Sequence, residues 1–406
     1  MSKKCISIIL AGGRGERLGA LTQHASKPSL IYGGNHRMID FTLNNCALSE
    51  IDTVGVLTQY YSAELHNYIN TFTTKNLKNA YKIYMLPPRK NKGSYIGTAN
   101  AVYQNFDFIE TFQPENVLIL AGDHIYNMDY RQMLWFHCES KADVTIASKA
   151  VPLRDASRFG ILASGDDGRI YDFQEKPKQP KSNLASMGIY IFTWNALKKH
   201  LMEDQECLHS QHDFGRNIIP AMLSSGSKLY TYAFSDYWRD VGTVESLWES
   251  NMDLLGDPPA FSSLVNHSLH YDKIRNSIIC NGCKIYGQIW NSVLSESVIV
   301  GRGSEITNSV IMPNVYIGDD VKIRNAIIGS ESIFMDRTEI GAGRGISLFV
   351  DPKVCSSQIS LVAPWAHIGE GLKYQSGSHI NEPMEITLMA SAPAPLEKQV
   401  YQGNIQ

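Results

Sequence analysis

The residue types that could do chemistry gather first in Leu10-Ala11-Gly12-Gly13-Arg14-Gly15-Glu16-Arg17-Leu18, with Lys27-Pro28 shortly after. Three glycines remove every Cβ from this turn, so a ligand can approach the backbone closely. The N–H groups of such a turn favour an anion, and Arg14, Arg17 and Lys27 add fixed positive charge. The chemistry indicated is phosphate binding. A Walker loop does not fit, because no lysine follows the last glycine. A dinucleotide fingerprint does not fit either, because Leu18 stands where the third glycine belongs and Gly19 comes one place late. Asp123, in Ala121-Gly122-Asp123-His124, is a second candidate. A carboxylate just after a strand is well placed to hold Mg²⁺ between phosphate oxygens, although aspartate there commonly just caps a turn. His124 either supports Asp123 or only packs, and Gln59 either reads a base edge or is a surface side chain.

Elements must bring these residues together. Cys5 to Leu10 is an apolar run that reads as a buried strand, with the glycine turn at the C-terminal edge of a parallel sheet. Asn116 to Leu120 is also continuously apolar, the mark of a strand buried on both faces, and it ends at Asp123. Val54 to Thr58 carries Gln59 to the same edge. Ile83 to Leu86 is a short strand. Gly97-Thr98 then opens a helix with Thr98 as capping candidate, whose N-terminus would offer further N–H groups to a nucleotide. Strands follow over 144–151, 185–192 and 229–234. Gly188 inside the second of these suggests close approach of a ligand or backbone. Helices are expected over 38–48, from about 215 toward Leu223, and along Val244, Leu247, Trp248, Met252 and Leu255, whose helical spacing reads as core. This alternation predicts an α/β, Rossmann-like domain with a mostly parallel sheet over residues 1–255.

Gly256 to Ser263 breaks the pattern, and a linker is expected over 256–272. Beyond it, apolar residues recur at Ile279 and Ile285, Val293 and Ile299, and Ile311, Ile317 and Ile323, with a second row of Val321, Ile327 and Ile333. A six-residue period with turn glycines predicts a left-handed parallel β-helix over 273–389. Residues 390–406 read as a loose tail.

With 37 Lys+Arg against 40 Asp+Glu the net charge is −3, which gives no support to nucleic-acid or anionic-membrane binding. No apolar run reaches the length of a membrane span, and Met1-Ser2-Lys3-Lys4-Cys5 lacks the features of a signal peptide, so a cytoplasmic location is expected. Cys280-Asn281-Gly282-Cys283 is a lone pair of cysteines without a second pair, and reads as a tight turn rather than a zinc site.

Taken together, the motifs resemble those of the glucose-1-phosphate adenylyltransferase family. They include the opening loop through Lys27-Pro28, Gly55-Val56-Leu57-Thr58-Gln59-Tyr60 and Gly97-Thr98-Ala99, then Ala121 to Tyr126, Phe159-Gly160 and Glu175-Lys176-Pro177. Ala185-Ser186-Met187-Gly188, Ser210-Gln211-His212-Asp213-Phe214-Gly215 and Tyr237-Trp238-Arg239-Asp240-Val241-Gly242-Thr243 complete the set. The resemblance implies that Leu10, Ala11, Gly12, Gly13, Arg14 and Gly15 hold ATP, together with Gln59, Gly97 and Thr98. It implies that Tyr95, Gly160, Glu175, Lys176 and Ser186 bind glucose 1-phosphate, with Asp213 and Phe214 as further contacts. Arg17, Lys27, Asp123 and Asp240 would be catalytic, with Mg²⁺ shared by the two aspartates. A homotetramer, small-molecule effectors and a role in supplying glycogen or starch synthesis are implied as well. Where many bacterial members place a basic pair for an activator, this chain has His24 and Ala25. Other readings are a catalytically silent regulatory subunit of the same fold, a transferase for another nucleotide and sugar, and an acyltransferase built on the β-helix, for which His367 is the only candidate near a recognisable repeat. Retention of Arg17, Lys27, Asp123, Lys176 and Asp240 speaks against the first.

Overall fold

The computed structural model describes residues 4–76, 81–89, 93–261, 273–346, 348 and 358–381. One mixed sheet is built from nine strands. They are β1 (Cys5–Ala11), β2 (Thr53–Thr58), β3 (Lys82–Leu86), β4 (Asn116–Ala121), β5 (Val144–Ala150), β6 (Gly160–Ser164), β7 (Ile170–Glu175), β8 (Leu184–Thr193) and β9 (Leu229–Ala233). The order along the sheet is β7-β6-β8-β4-β1-β2-β3, with β5 joining β8 to β9. The part that carries the glycine turn is parallel: β1 pairs with β2 and with β4, and β2 with β3. β8 runs antiparallel to β4, β5 and β6.

β1 is apolar but for Ser7, whose buried hydroxyl meets Cys46 Sγ at 3.5 Å, because both of its faces are covered. Ile6 and Ile8 pack into one core, with Val102, Leu197 and Leu201 from helices on that side. Ile9 and Ala11 point the other way, to Ile39, Leu43, Leu65 and Met133. Full burial of one such side chain contributes about 1.5–3 kcal/mol. Register does the rest: Leu10 lies beside Leu57 and Ala121, and Ala11 beside Thr58. Gly12, Gln59 and Gly122-Asp123 therefore leave three neighbouring strands at one level. The helix expected over 38–48 is present as Met38–Leu48.

Asp240 arrives by a different route. Trp238–Asp240 pairs antiparallel with His124–Tyr126, setting Asp240 opposite His124. This two-stranded ribbon joins two carboxylates far apart in sequence.

Between 274 and 380 the described residues wind into coils whose strands form three parallel sheets, the hexapeptide-repeat form of a left-handed β-helix. Hydrogen bonds between equivalent positions of successive coils span 17 residues for most of the length. A strict six-residue count therefore drifts by one per coil. Ile311, Ile317, Ile323 and Val321 point inward as expected, but in the second row Ile327 is buried on the outside of the coil, against the cluster of Leu247, and Ile333 is 38% exposed, with Ile328 and Phe334 in the inner places. Ile299 is likewise outside, with Val300 buried. One corner carries an asparagine ladder: Asn276 donates to Asn291, Asn291 to Asn308 and Asn308 to Asn325. All four have left-handed φ of 45–49°, a conformation asparagine tolerates better than most residues. Cys280 to Cys283 forms the expected turn, with Gly282 at φ +78°.

The helix Val244–Asp253 packs between the two parts. Leu247 joins Val293, Val310 and Ile327 in one apolar cluster, and Trp248 Nε1 donates to the Asn308 carbonyl at 2.7 Å. The stripe read as core is thus the seam with the β-helix. The expected tail 390–406 and most of the expected linker lie outside the described residues.

Candidate active site

At the C-terminal ends of β1, β2 and β4 a cavity of about 550 Å³ opens. Among the expected ATP-side residues, Leu10, Gly12, Gly13, Arg14, Arg17, Gln59, Gly97 and Thr98 line it. On the sugar side Tyr95, Glu175, Lys176, Asp213 and Phe214 do so, and Asp123 and Asp240 complete the wall. Strand order sets the layout: β4, bearing Asp123, lies between β1, bearing the glycine turn, and β7, which ends at Glu175. Ala11, Gly15, Lys27, Gly160 and Ser186 are not in the lining. Ala11 is core. Gly15 turns the chain at φ +73°, and a Cβ there would sit 3.1 Å from Lys27 Cβ. Gly160 makes room for Glu175, whose Oε2 would lie 2.9 Å from a Cβ. Ser186 is buried beside the cavity, its hydroxyl donating to Tyr190 at 3.3 Å.

The electrostatic centre is a buried cation between carboxylates. Lys27 Nζ lies 2.5 Å from Asp123 Oδ2 and 3.4 Å from Asp240 Oδ1. Desolvating one ion costs several kcal/mol, while a close pair returns about 4 kcal/mol at an effective dielectric near 20. One partner roughly breaks even, and two win. Burial accordingly works against the Lys27 ammonium, yet Asp123 and Asp240 outweigh it and raise its pKa. Burial also opposes ionisation of Asp240, but Lys27, His124, Arg17 and Arg158 hold it well below the usual carboxylate range. Arg17 reaches this point past Gly242, where a Cβ would lie 2.9 Å from Arg17 Nη2 and 3.3 Å from Asp240 Oδ1.

Two carboxylates already converging on one cation fit a small divalent ion. Such an ion takes one or two carboxylates and completes its shell with water and substrate phosphates. No cluster of three or more His, Cys, Asp or Glu side chains suited to a metal occurs among the described residues, so the substrate would have to supply the remaining oxygens.

One expectation is corrected. Gly97 and Thr98 reach the cavity, but two N–H groups at the start of the helix Thr98–Gln104 are not free for a nucleotide, because the His212 carbonyl already accepts from Ala99 N at 2.8 Å and Asn100 N at 3.3 Å. Thr98 is the first helical residue and Gly97 the cap. The Thr98 hydroxyl donates to Asp213 Oδ2 and accepts from Phe214 N, both at 3.0 Å. Long-range packing decided this, and local capping preference could not.

Sequence reasoning passed over Tyr60, Tyr190 and Gly215, all in the lining. Arg14 lies 4.5 Å above the Tyr60 ring, a cation–π contact that tethers the loop's outermost cation. Gly215 admits Glu175, whose Oε2 would be 2.4 Å from a Cβ. The signal for all three was their place in or beside motifs, with no signature of their own. His124 proves to do more than pack. Its Nδ1 contacts the Met187 carbonyl at 3.0 Å, which can only accept, and its Nε2 faces Asp240 at 3.6 Å and Asp123 at 3.8 Å.

A nucleotidyl transferase family profile matches residues 6–256, and a GlmU-like C-terminal hexapeptide profile matches residues 258–345. The glucose-1-phosphate adenylyltransferase of Clostridium novyi is 49% identical over 325 residues, covering 75% of this chain and 85% of that protein. Those of Acetivibrio thermocellus and Desulfitobacterium hafniense (strain Y51) are each 43% identical, covering 91% and 91%, and 94% and 98%, of the two chains respectively. With the glycine turn, the paired aspartates and the β-helix in one chain, these similarities settle its kinship: it belongs to the glucose-1-phosphate adenylyltransferase family of nucleotidyltransferases.

Proposed function

We propose that the chain joins ATP and α-D-glucose 1-phosphate to give ADP-glucose and pyrophosphate. The observation that carries this reading is a single cavity walled by the cationic glycine turn, by Glu175-Lys176, and by Asp123 and Asp240. A phosphate oxygen of glucose 1-phosphate attacks the α-phosphorus of ATP, the bond to the β-phosphate oxygen breaks, and pyrophosphate leaves. The nucleophile is already an anion, so no general base is required. Catalysis is then in-line positioning and neutralisation of charge. Arg14, Arg17 and Lys27 neutralise the triphosphate from the β1 side. Lys176, at 2.9 Å from Glu175, turns its ammonium to the sugar phosphate, while Glu175 and Ser186 take sugar hydroxyls. Asp123 and Asp240 would hold Mg²⁺, which supplies Lewis-acid stabilisation of the phosphate oxygens.

The same reading keeps a homotetramer, small-molecule effectors, a cytoplasmic location and a role in polyglucan synthesis. Outward Tyr316 and Ile333, paired on one β-helix face, support assembly. No helix among the described residues is long and apolar enough to cross a membrane. A division into 1–255, 256–272, 273–389 and 390–406 is supported by the profile limits at 256 and 258. The test is a panel of ATP, UTP and other nucleotides with several sugar phosphates, read as pyrophosphate release. ATP with glucose 1-phosphate is expected to be fastest by a wide margin, and a preference for UTP would overturn the reading.

A further inference from the structure

We propose that His212 is a positioning residue: its bond to Asp204 holds the segment 210–215 against the start of the helix Thr98–Gln104 and so shapes the sugar-phosphate end of the crevice. The inference rests on the reading above that Tyr95, Glu175 and Asp213 face glucose 1-phosphate.

His212 sits at φ +52°, a left-handed backbone that a residue with a Cβ adopts only when its surroundings hold it there. The holding contact is visible. Its Nδ1 donates to Asp204 Oδ2 at 2.7 Å, with both side chains 11% exposed. Asp204 lies near the end of the helix Trp194–Glu206, and its other oxygen accepts from the Ser210 hydroxyl at 2.5 Å. The Ser210 hydroxyl in turn accepts from His212 N at 2.9 Å. The loop is thus pinned at two places to one buried carboxylate.

That pin aims two things at the cavity. The His212 carbonyl closes the first turn of the 98–104 helix through Ala99 N and Asn100 N. The contact is so close that a Cβ on Gly97 would fall 2.3 Å from the His212 oxygen. The next residues, Asp213 and Phe214, lock onto Thr98 through its hydroxyl. Tyr95, Gly97 and Thr98 on one wall and Asp213, Phe214 and Gly215 on the other all line the crevice, so slackening of His212 would move both walls together. His212 itself is absent from the lining and acts through its neighbours.

Three substitutions separate the ring's bond from its backbone conformation. His212→Asn retains a donor at the position of Nδ1 and tolerates the left-handed region. His212→Ala removes the donor and keeps the strained backbone. His212→Gly removes the donor while relieving the backbone. Asp204→Asn tests the partner. Two readouts are required: deuterium uptake of the peptide covering residues 96–103, and KM for each substrate beside kcat. Faster uptake in the Ala, Gly and Asp204→Asn variants is expected, with a rise of about fivefold or more in KM for glucose 1-phosphate and a smaller change in kcat. His212→Asn should stay near wild type in both. Unchanged uptake in His212→Ala, or wild-type behaviour of His212→Gly, would overturn the lock. Faster uptake with only the ATP KM displaced would confirm the lock and overturn the sugar-side reading on which its role depends.

Discussion

Asp240 carries a large electrostatic load among Lys27, His124, Arg17 and Arg158. It is ionised inside a site that burial alone would neutralise, and the surrounding cations decide the outcome. Replacing Asp123 or Asp240 with Asn should lower turnover by orders of magnitude while the fold survives, since each would lose half of a two-carboxylate cation site. Circular dichroism alongside steady-state rates checks this, and near-normal turnover would refute the role. Lys27 leads to a second expectation. Lys27→Met leaves two carboxylates facing each other at a buried position, a loss at the low end of about 3–5 kcal/mol. Its Tm should drop without divalent cation and recover on adding Mg²⁺, as a bound ion replaces the ammonium and stabilises the folded state by mass action. A Tm indifferent to Mg²⁺ would sink the idea. Thiols offer a control away from the site. Burial pushes the Cys46 thiol up to about 12, so only about one in ten thousand is thiolate at pH 8, whereas Cys207 is exposed. Mass-mapped alkylation should label Cys207 well before Cys46, and early labelling of Cys46 would contradict its burial.

The helix Thr98–Gln104 and the loop 210–215 behave as one unit. Gly97 has an extended backbone that any residue could adopt, so its requirement is space. Gly97→Ala sets a methyl 2.3 Å from the His212 oxygen and 2.4 Å from that of Gln211, both backbone atoms with nowhere to go. The variant should lose about 1–3 kcal/mol by thermal unfolding and show a raised KM for glucose 1-phosphate. Unchanged stability would mean that the loop is free to retreat. Glycine, threonine and a helical onset were all legible in the sequence here. Their meaning was not, because His212, whose carbonyl takes two N–H groups at the helix start, comes more than a hundred residues later in the chain.

The whole molecule is joined along the Val244–Asp253 helix. Trp248 inserts its indole where the asparagine ladder turns, so Trp248→Phe keeps most of the apolar contact and abandons the bond to the Asn308 carbonyl. A loss of about 1 kcal/mol is expected, read as a lower Tm. No change would show that the seam rests on apolar packing alone.

By itself the sequence determined the kinds of element and the chemistry. Continuous apolar runs require strands covered on both faces, three glycines before a run of cations require an anion, and a near six-residue period requires coils. Those properties are local and can be read along the chain. Tertiary structure alone decided which charges meet. It put Lys27 between Asp123 and Asp240, gave the start of the 98–104 helix to His212, turned Ile333 outward through a 17-residue coil, and made the tryptophan stripe a seam. Each outcome depends on register and on distances between segments remote in sequence, which no local pattern encodes.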